Sequence, residues 1–254
     1  MAGFAPGFRR LLSAARGAPA KHKLFLCHKE PANQRHVNAS IGADLRSKCG
    51  ERNAMSKSSR SLPIKTERLV LRCFARGDLE ALSDYHVLPA VQRYAFLRTR
   101  DRDQVDEALK LMSGHVSLQR AGDTLTLAVI RQKDQQLIGH VSLHWTDSTA
   151  SQGEVRFILN PVYSGSGYTR EALSALFDLA FGHFGIHRLQ VRSDGRNHNS
   201  IKLMQNMGMR LEAHYREHAL FQGEWDEELH FAILDREWQQ SSKVRQLPPR
   251  HRVA

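Results

Sequence analysis

The segment Glu154–Phe184, EVRFILNPVYSGSGYTREALSALFDLAFGHF, decides how the chain is read. Val155, Phe157 and Leu159 alternate as one buried side of a strand requires. Pro161 ends that strand, having no N–H to give to a ladder. In Ser164-Gly165-Ser166-Gly167 the glycines let the backbone take angles closed to other residues and come close to a ligand. Leu173, Leu176, Phe177, Ala180, Phe181 and Phe184 then recur at helical spacing as an apolar stripe, with Gly185 where a C-terminal cap belongs. Strand, glycine turn and helix in succession aim unpaired N–H groups, at the positive end of a helix dipole, toward an anion such as phosphate.

Two nucleotide motifs fail here. A dinucleotide-binding turn wants a third glycine where Arg170 stands, and a Walker loop wants Gly-Lys-Ser/Thr where Gly167-Tyr168-Thr169 stands. A lone Gly-x-Gly also serves ordinary turns, so the remaining segments decide. Upstream is IKTERLVLR, Ile64–Arg72. Downstream come Ile186-His187-Arg188-Leu189-Gln190-Val191, then Asn197-His198-Asn199-Ser200 opening a short helix, then Met207-Gly208-Met209-Arg210-Leu211-Glu212. Gly223-Glu224-Trp225-Asp226 precedes a strand with Leu229, Phe231 and Ile233. In this order, over residues 62–240, the chain resembles the GNAT acetyltransferases, and within them the ribosomal-protein N-acetyltransferase (RimJ/RimL) branch.

The resemblance implies an α/β (α+β) fold, a mixed, mostly antiparallel twisted sheet flanked by helices on both faces, in a domain spanning 61–240. It implies acetyl transfer from acetyl-CoA to a primary amine by direct attack in a ternary complex, with a protein N-terminal amine as acceptor. Small amines (polyamines, aminoglycosides) are the alternative acceptors, and a non-catalytic acyl-CoA-binding or ribosome-associated module is the alternative class. By resemblance, the backbone of Gly165, Ser166, Gly167, Tyr168, Thr169 and Arg170 binds the CoA pyrophosphate, with Arg170 as an added cation. Ile158 and Leu159 match the segment that pairs with the pantetheine arm and polarises the acetyl carbonyl. Asn197 is expected to hydrogen-bond the CoA arm.

Glu154 stands where the family often carries a base. An ion pair with Arg156 is its other reading, and Glu212, Glu217 and His218 are further candidates for the base. Many members protonate the departing thiolate with a tyrosine; Met204 occupies that position, and Ser200 fits the branch's serine beside the sulfur. Ser200 reads equally as a helix cap and Asn197 as a turn residue. Val162 replaces an Arg or Gln frequent in the wider superfamily.

Composition narrows the classes. Of a formal charge of +11, residues 1–60 carry 12 Lys/Arg against 3 Asp/Glu, and residues 239–254 carry four basic residues and no acid. The middle is left with 21 basic and 23 acidic residues, so the basicity belongs to the ends. Without aromatics interleaved among them these are read as solvated charge runs, and nucleic-acid contact is expected only through the tails. Cys27, Cys49 and Cys73 are too few and scattered for disulfides or a metal centre, which fits a reducing, cytoplasmic setting. No apolar run approaches the ~20 residues of a membrane span, so a soluble monomer or homodimer is expected.

Residues 1–60 lack periodicity and are expected to be disordered, as is a basic tail over 241–254. Gly3–Lys29 is acid-free, like a transit peptide; the preferred reading is a translated upstream region with the start at Met55. Leu69, Leu71 and Cys73 predict a first strand, followed by a helix through Tyr85 that Asp78 caps. Arg102–Leu118 reads as a second helix, and Leu125–Ile130 with Leu137–Trp145 as a hairpin. By resemblance, Tyr94, Phe96 and Arg98 lie where acceptor-lining residues fall, and core packing is the preferred reading of Tyr94 and Phe96. His140 and His144 share a face, but without a third ligand they read as surface or pocket-lining groups and no metal is expected.

Overall fold

A computed structural model describes residues 62–94, 101–221 and 223–246. The expectations for residues 1–60, for Met55, for Phe96 and Arg98, and for the tail beyond 246 lie outside them. Eight strands form one sheet: β1 (Ile64–Lys65), β2 (Leu69–Cys73), β3 (Thr124–Arg131), β4 (Gln136–Asp147), β5 (Gln152–Leu159), β6 (Arg188–Asp194), β7 (Arg210–Phe221) and β8 (Glu224–Leu234). Their order is β1-β2-β3-β4-β5-β6-β8-β7. Every neighbouring pair is antiparallel except β5 and β6. Antiparallel strands can be joined by tight turns, whereas the parallel pair needs a crossover. The helix of the glycine segment supplies it.

The helices are α1 (Leu79–His86), α2 (Pro89–Tyr94), α3 (Arg102–Gly114), α4 (Tyr168–Asp178), α5 (His198–Asn206) and α6 (Asp235–Gln246). The sheet is covered on both faces because its central strands are apolar on both. On one face Leu127, Val141, Val155, Leu189 and Val191 pack with Leu173, Leu176 and Phe177 of α4, Met204 of α5 and Trp238 of α6. On the other, Ala128 and Ile130 pack with Leu82 and Tyr85 of α1 and Val105 and Leu109 of α3. The apolar stripe of the glycine segment is buried as its spacing predicts, and the helix continues beyond α4 as a π turn, Leu179–His183.

Three local expectations change. Asp78 does not cap α1 with its side chain: its carboxylate takes two hydrogen bonds from Arg72, each 2.7 Å, and one from the Ala75 N–H. The guanidinium outcompetes the helix N–H groups because the charge-assisted, two-pronged bond is the stronger one. The second helix stops at Gly114, not Leu118, because the chain turns there to run against β3, with Val116 bridging Leu125. Its true cap is Asp101, which accepts from the Gln104 N–H. Beyond 240 the expected tail is helical to Gln246, anchored by Trp238, whose indole N–H donates to Asp178 at 2.7 Å and whose ring packs on Phe177.

Truncating Phe177→Ala empties a fully buried site between the sheet and α6. It is expected to cost about 3–5 kcal/mol, read as a lowered urea midpoint. Burial pushes the Asp78 carboxyl up, but Arg72 and the Ala75 N–H outweigh it and hold the carboxyl below its ordinary value. A group whose folded pKa is depressed stabilises the fold above its unfolded pKa, about 4. That stability is lost as pH falls through the folded pKa. The gap in Tm between the native chain and Asp78→Asn should therefore be full at neutral pH and close as pH drops from about 4 toward 2.

Candidate active site

The parallel ladder between β5 and β6 runs from Gln152 opposite Arg188 to Val155 opposite Val191, and stops. Yet β5 continues to Leu159 and β6 to Asp194, and on its other side β5 stays paired with β4 through Leu159. From Arg156 onward one edge of β5 therefore faces no strand, and the backbone around Ile158 and Leu159 is open to a ligand on that side. The next residues in register would be Arg156 and Arg192. Both turn to one carboxylate: Glu154 Oε1 accepts from Arg156 Nε at 2.7 Å and from Arg192 Nη2 at 3.1 Å. Glu154 is only 7% exposed. Burial pushes its carboxyl up, but the two arginines prevail and hold it below the usual range.

The segment bearing Ile158 is also held from behind. A Cβ on Gly139 of β4 would lie 2.4 Å from the Ile158 carbonyl oxygen and 2.9 Å from Leu159 Cα. Only glycine permits that approach.

After β5, Asn160 accepts from the Val162 N–H, and Pro161–Tyr163 forms a single 3₁₀ turn, so Pro161 ends the strand as expected. Gly165 and Gly167 have φ of 77° and 79°, the left-handed region that glycine enters without strain. The glycine loop and the first turn of α4 thus bring together Gly165, Ser166, Gly167, Tyr168, Thr169 and Arg170, and the first intrahelical bond comes from the Glu171 N–H to Gly167. Val162 and Arg170 are exposed. The loop is fastened to the turn before β2: Arg68 donates Nη1 to the Ser166 carbonyl at 3.0 Å and Nε to Glu171 at 2.8 Å, and its guanidinium lies 4.6 Å from the Tyr168 ring centre.

The turn after β6 is equally fixed. Asp194 has a fully buried side chain and grips Arg196 at 2.7 and 3.0 Å. Burial raises its carboxyl, and the Arg196 side chain and N–H more than reverse this. Asn197 caps α5, its Oδ1 accepting from the Ser200 N–H at 3.1 Å. The cap is therefore Asn197 and not Ser200, whose half-buried hydroxyl has no hydrogen-bond partner among the described residues. Met204, at the usual tyrosine position, is fully buried in the core.

The other candidates have partners of their own, although His140 and His144 are the cross-strand neighbours of Ile158 and Glu154 on β4. Glu212 is tied to Arg188, at the far end of β6. Glu217 sits in a bulge of the β7–β8 hairpin with φ 50°, and His218 is 3.0 Å from Asp226. His140 is buried against the Tyr85 hydroxyl at 2.9 Å and His144 meets Thr124 at 3.0 Å. Tyr94 ends α2 with Arg93 over its ring. Arg192 and the Asp194–Arg196 pair escaped the sequence reading, although the alternation of Gln190, Arg192 and Asp194 with Leu189, Val191 and Ser193 already marks a strand with one polar face.

Comparison with known proteins bears on this arrangement. The family model described as acetyltransferase (GNAT) domain matches residues 68–210. The uncharacterized N-acetyltransferase YnaD of Bacillus subtilis strain 168 is 27% identical over 175 residues, covering 69% of this chain and 98% of that protein. Among solved structures, spermidine N-acetyltransferase from Vibrio cholerae, in complex with CoA and spermine, superposes with a TM-score of 0.59 at 22% identity, over 68% of this chain and 99% of that one. A protein assigned as a ribosomal-protein-serine acetyltransferase, also from Vibrio cholerae, does so with a TM-score of 0.58 at 20% identity, over 67% and 96%. With the parted strands, the glycine loop at a helix start and a family match over more than half its length, the chain belongs to the GNAT acetyltransferases and is an N-acetyltransferase.

Proposed function

We propose that the chain acetylates a protein N-terminal amine, as the ribosomal-protein branch does, by direct attack on acetyl-CoA. The observation that carries this reading is the open backbone edge of Ile158 and Leu159 beside the start of α4. The first-turn N–H groups of α4 and the glycine loop bind the pyrophosphate, with Arg170 near it, and the pantetheine arm extends along the β5 edge as an added strand. An N–H there polarises the acetyl carbonyl as it becomes an oxyanion. Asn197 donates from its amide nitrogen to the arm, since its oxygen is occupied by the cap.

The incoming ammonium must lose a proton before it can attack. Glu154, ionised at neutral pH, receives it through water, and the amine then adds to the thioester carbon. Collapse of that adduct breaks the C–S bond, the extra proton on its nitrogen passes to the leaving thiolate, and the Ser200 hydroxyl hydrogen-bonds that sulfur, which needs little help at a thiol pKa near ~8.5. Charge balance at the parted strands supports a singly charged acceptor: Glu154 is met by two arginines and Asp194 by Arg196. No helix among the described residues is long and apolar enough to cross a membrane.

Thiol release from acetyl-CoA should appear with N-terminal peptides and stay at background with spermidine and aminoglycosides; release with spermidine alone would transfer the chain to the small-amine acetyltransferases. Glu154→Gln is expected to lower kcat by about 100-fold with KM for acetyl-CoA little changed. Ser200→Ala should lower kcat by about ten-fold, the worth of one hydrogen bond to a charged sulfur. Gly139→Ala has the opposite signature. By displacing the Ile158–Leu159 backbone it should raise KM for acetyl-CoA by about ten-fold or more, as one or two kcal/mol of overpacking requires.

A further inference from the structure

We propose that the β7–β8 hairpin holds a binding site for one divalent transition-metal ion of the zinc type, with His218, Asp226 and Glu228 as its ligands. Arg192 stands between this site and Glu154, and the site does not depend on which amine is acetylated.

One donor atom from each of these residues lies within 4.8 Å of the other two. Asp226 and Glu228 are two apart on β8 and so share a face, and they are only 5% and 8% exposed. Two carboxylates this deep require a counter-charge. Arg192 supplies part of it, standing 3.6 Å from Glu228, but it is shared with Glu154 at 3.1 Å, and Asp226 has no arginine partner among the ion pairs of the described residues. The nearer partners are imidazoles and one backbone group: His218 Nδ1 is 3.0 Å and the Ala219 N–H nitrogen 2.9 Å from Asp226 Oδ1, and His230 Nε2 is 2.5 Å from Glu228 Oε1. With a neutral imidazole the three ligands carry a formal charge of −2, which a divalent ion cancels.

The donor set selects the ion. One or two imidazoles with two carboxylates suit zinc, cobalt or nickel, whereas magnesium and calcium prefer oxygen alone. His230, already against Glu228, is the fourth donor within reach. His218 reaches the cluster because the ladder between β7 and β8 slips between Arg216 and Leu220, and such a bulge re-aims the side chains beside it. Its side chain is 39% exposed, which leaves the ion a way in, and Asp226 lines the adjoining surface groove. The ring of Tyr215 lies 5.5 Å from that of His218 and 4.9 Å from that of His230, limiting how far either can swing. A bound ion displaces any proton shared by His218 and Asp226 and joins the two strands where their backbone pairing is interrupted.

The test uses the full chain, stripped with a chelator and titrated calorimetrically with zinc chloride, with magnesium chloride in parallel. The expected result is one equivalent of zinc bound, a Tm raised by zinc and not by magnesium, and His218→Ala and Asp226→Asn each weakening zinc binding by at least about ten-fold. Cobalt(II) should give a visible absorption band in the native chain that both variants lose. Retained stabilisation by CoA shows that a variant is folded; should Asp226→Asn fail this, the exposed His218→Ala decides alone. No zinc binding by the native chain, or zinc binding of native strength in His218→Ala, would overturn the site, the latter placing the metal on other histidines of the chain.

Discussion

Like charges meeting across a ladder oppose pairing, and the next rung of the β5–β6 ladder would set Arg156 beside Arg192. The pairing ends one residue earlier, at Val155 and Val191. Glu154, on the same face of β5, takes both guanidinium groups on one carboxylate oxygen, Oε1. Its carboxylate is buried and both arginines are partly exposed, so the cluster keeps some of its hydration while remaining neutralised. Everything the open edge of β5 offers, its unpaired N–H and C=O groups above all, depends on the ladder ending there.

An open edge is of use only if the anion site beside it does not drift. The glycine loop has little side-chain packing of its own, yet Arg68 ties it to the turn before β2 through a carbonyl, a carboxylate and an aromatic ring. Thr66 adds a hydroxyl donated to Glu171 at 2.6 Å. Behind the loop, Leu173, Leu176 and Phe177 are fully buried, each worth about 1.5–3 kcal/mol of transfer free energy. The first turn of α4 therefore moves only if the core moves. A rigid set of N–H groups is what an anion site requires, since dipoles already oriented need no reorganisation when the ligand arrives.

The backbone part of this site was legible in the sequence because glycine and proline carry backbone information in their identity. Gly165, Gly167 and Pro161 mark the loop, and the stripe from Leu173 to Phe181 marks the helix. The side-chain part was not. Glu154 and Arg192 are 38 residues apart, and their meeting depends on a parallel pairing that no local pattern announces. Position alone suggests Asp78 as a cap and says nothing of Arg72, which reaches it only because β2 runs past the start of α1. Helix α6 went unseen past residue 240 because, among its described side chains, Trp238 alone is buried, and one buried residue sets no period.

The ionised state of Glu154 bears on how the proposed reaction divides its work. A carboxylate held below its ordinary pKa is always ready to accept a proton, but the same two arginines that keep it ready make it a weaker base. Proton removal then follows the small equilibrium fraction of free amine more than any strong pull from the enzyme. In the proposed reaction the larger share of rate acceleration falls to the fixed backbone N–H on the open edge of β5 beside Ile158 and Leu159, which acts on the carbonyl oxygen as it gains charge. That division matches the residues that are held most rigidly: Gly139 and the β4 ladder fix the oxyanion side against a wall of backbone, while Glu154 rests among long, partly exposed arginines.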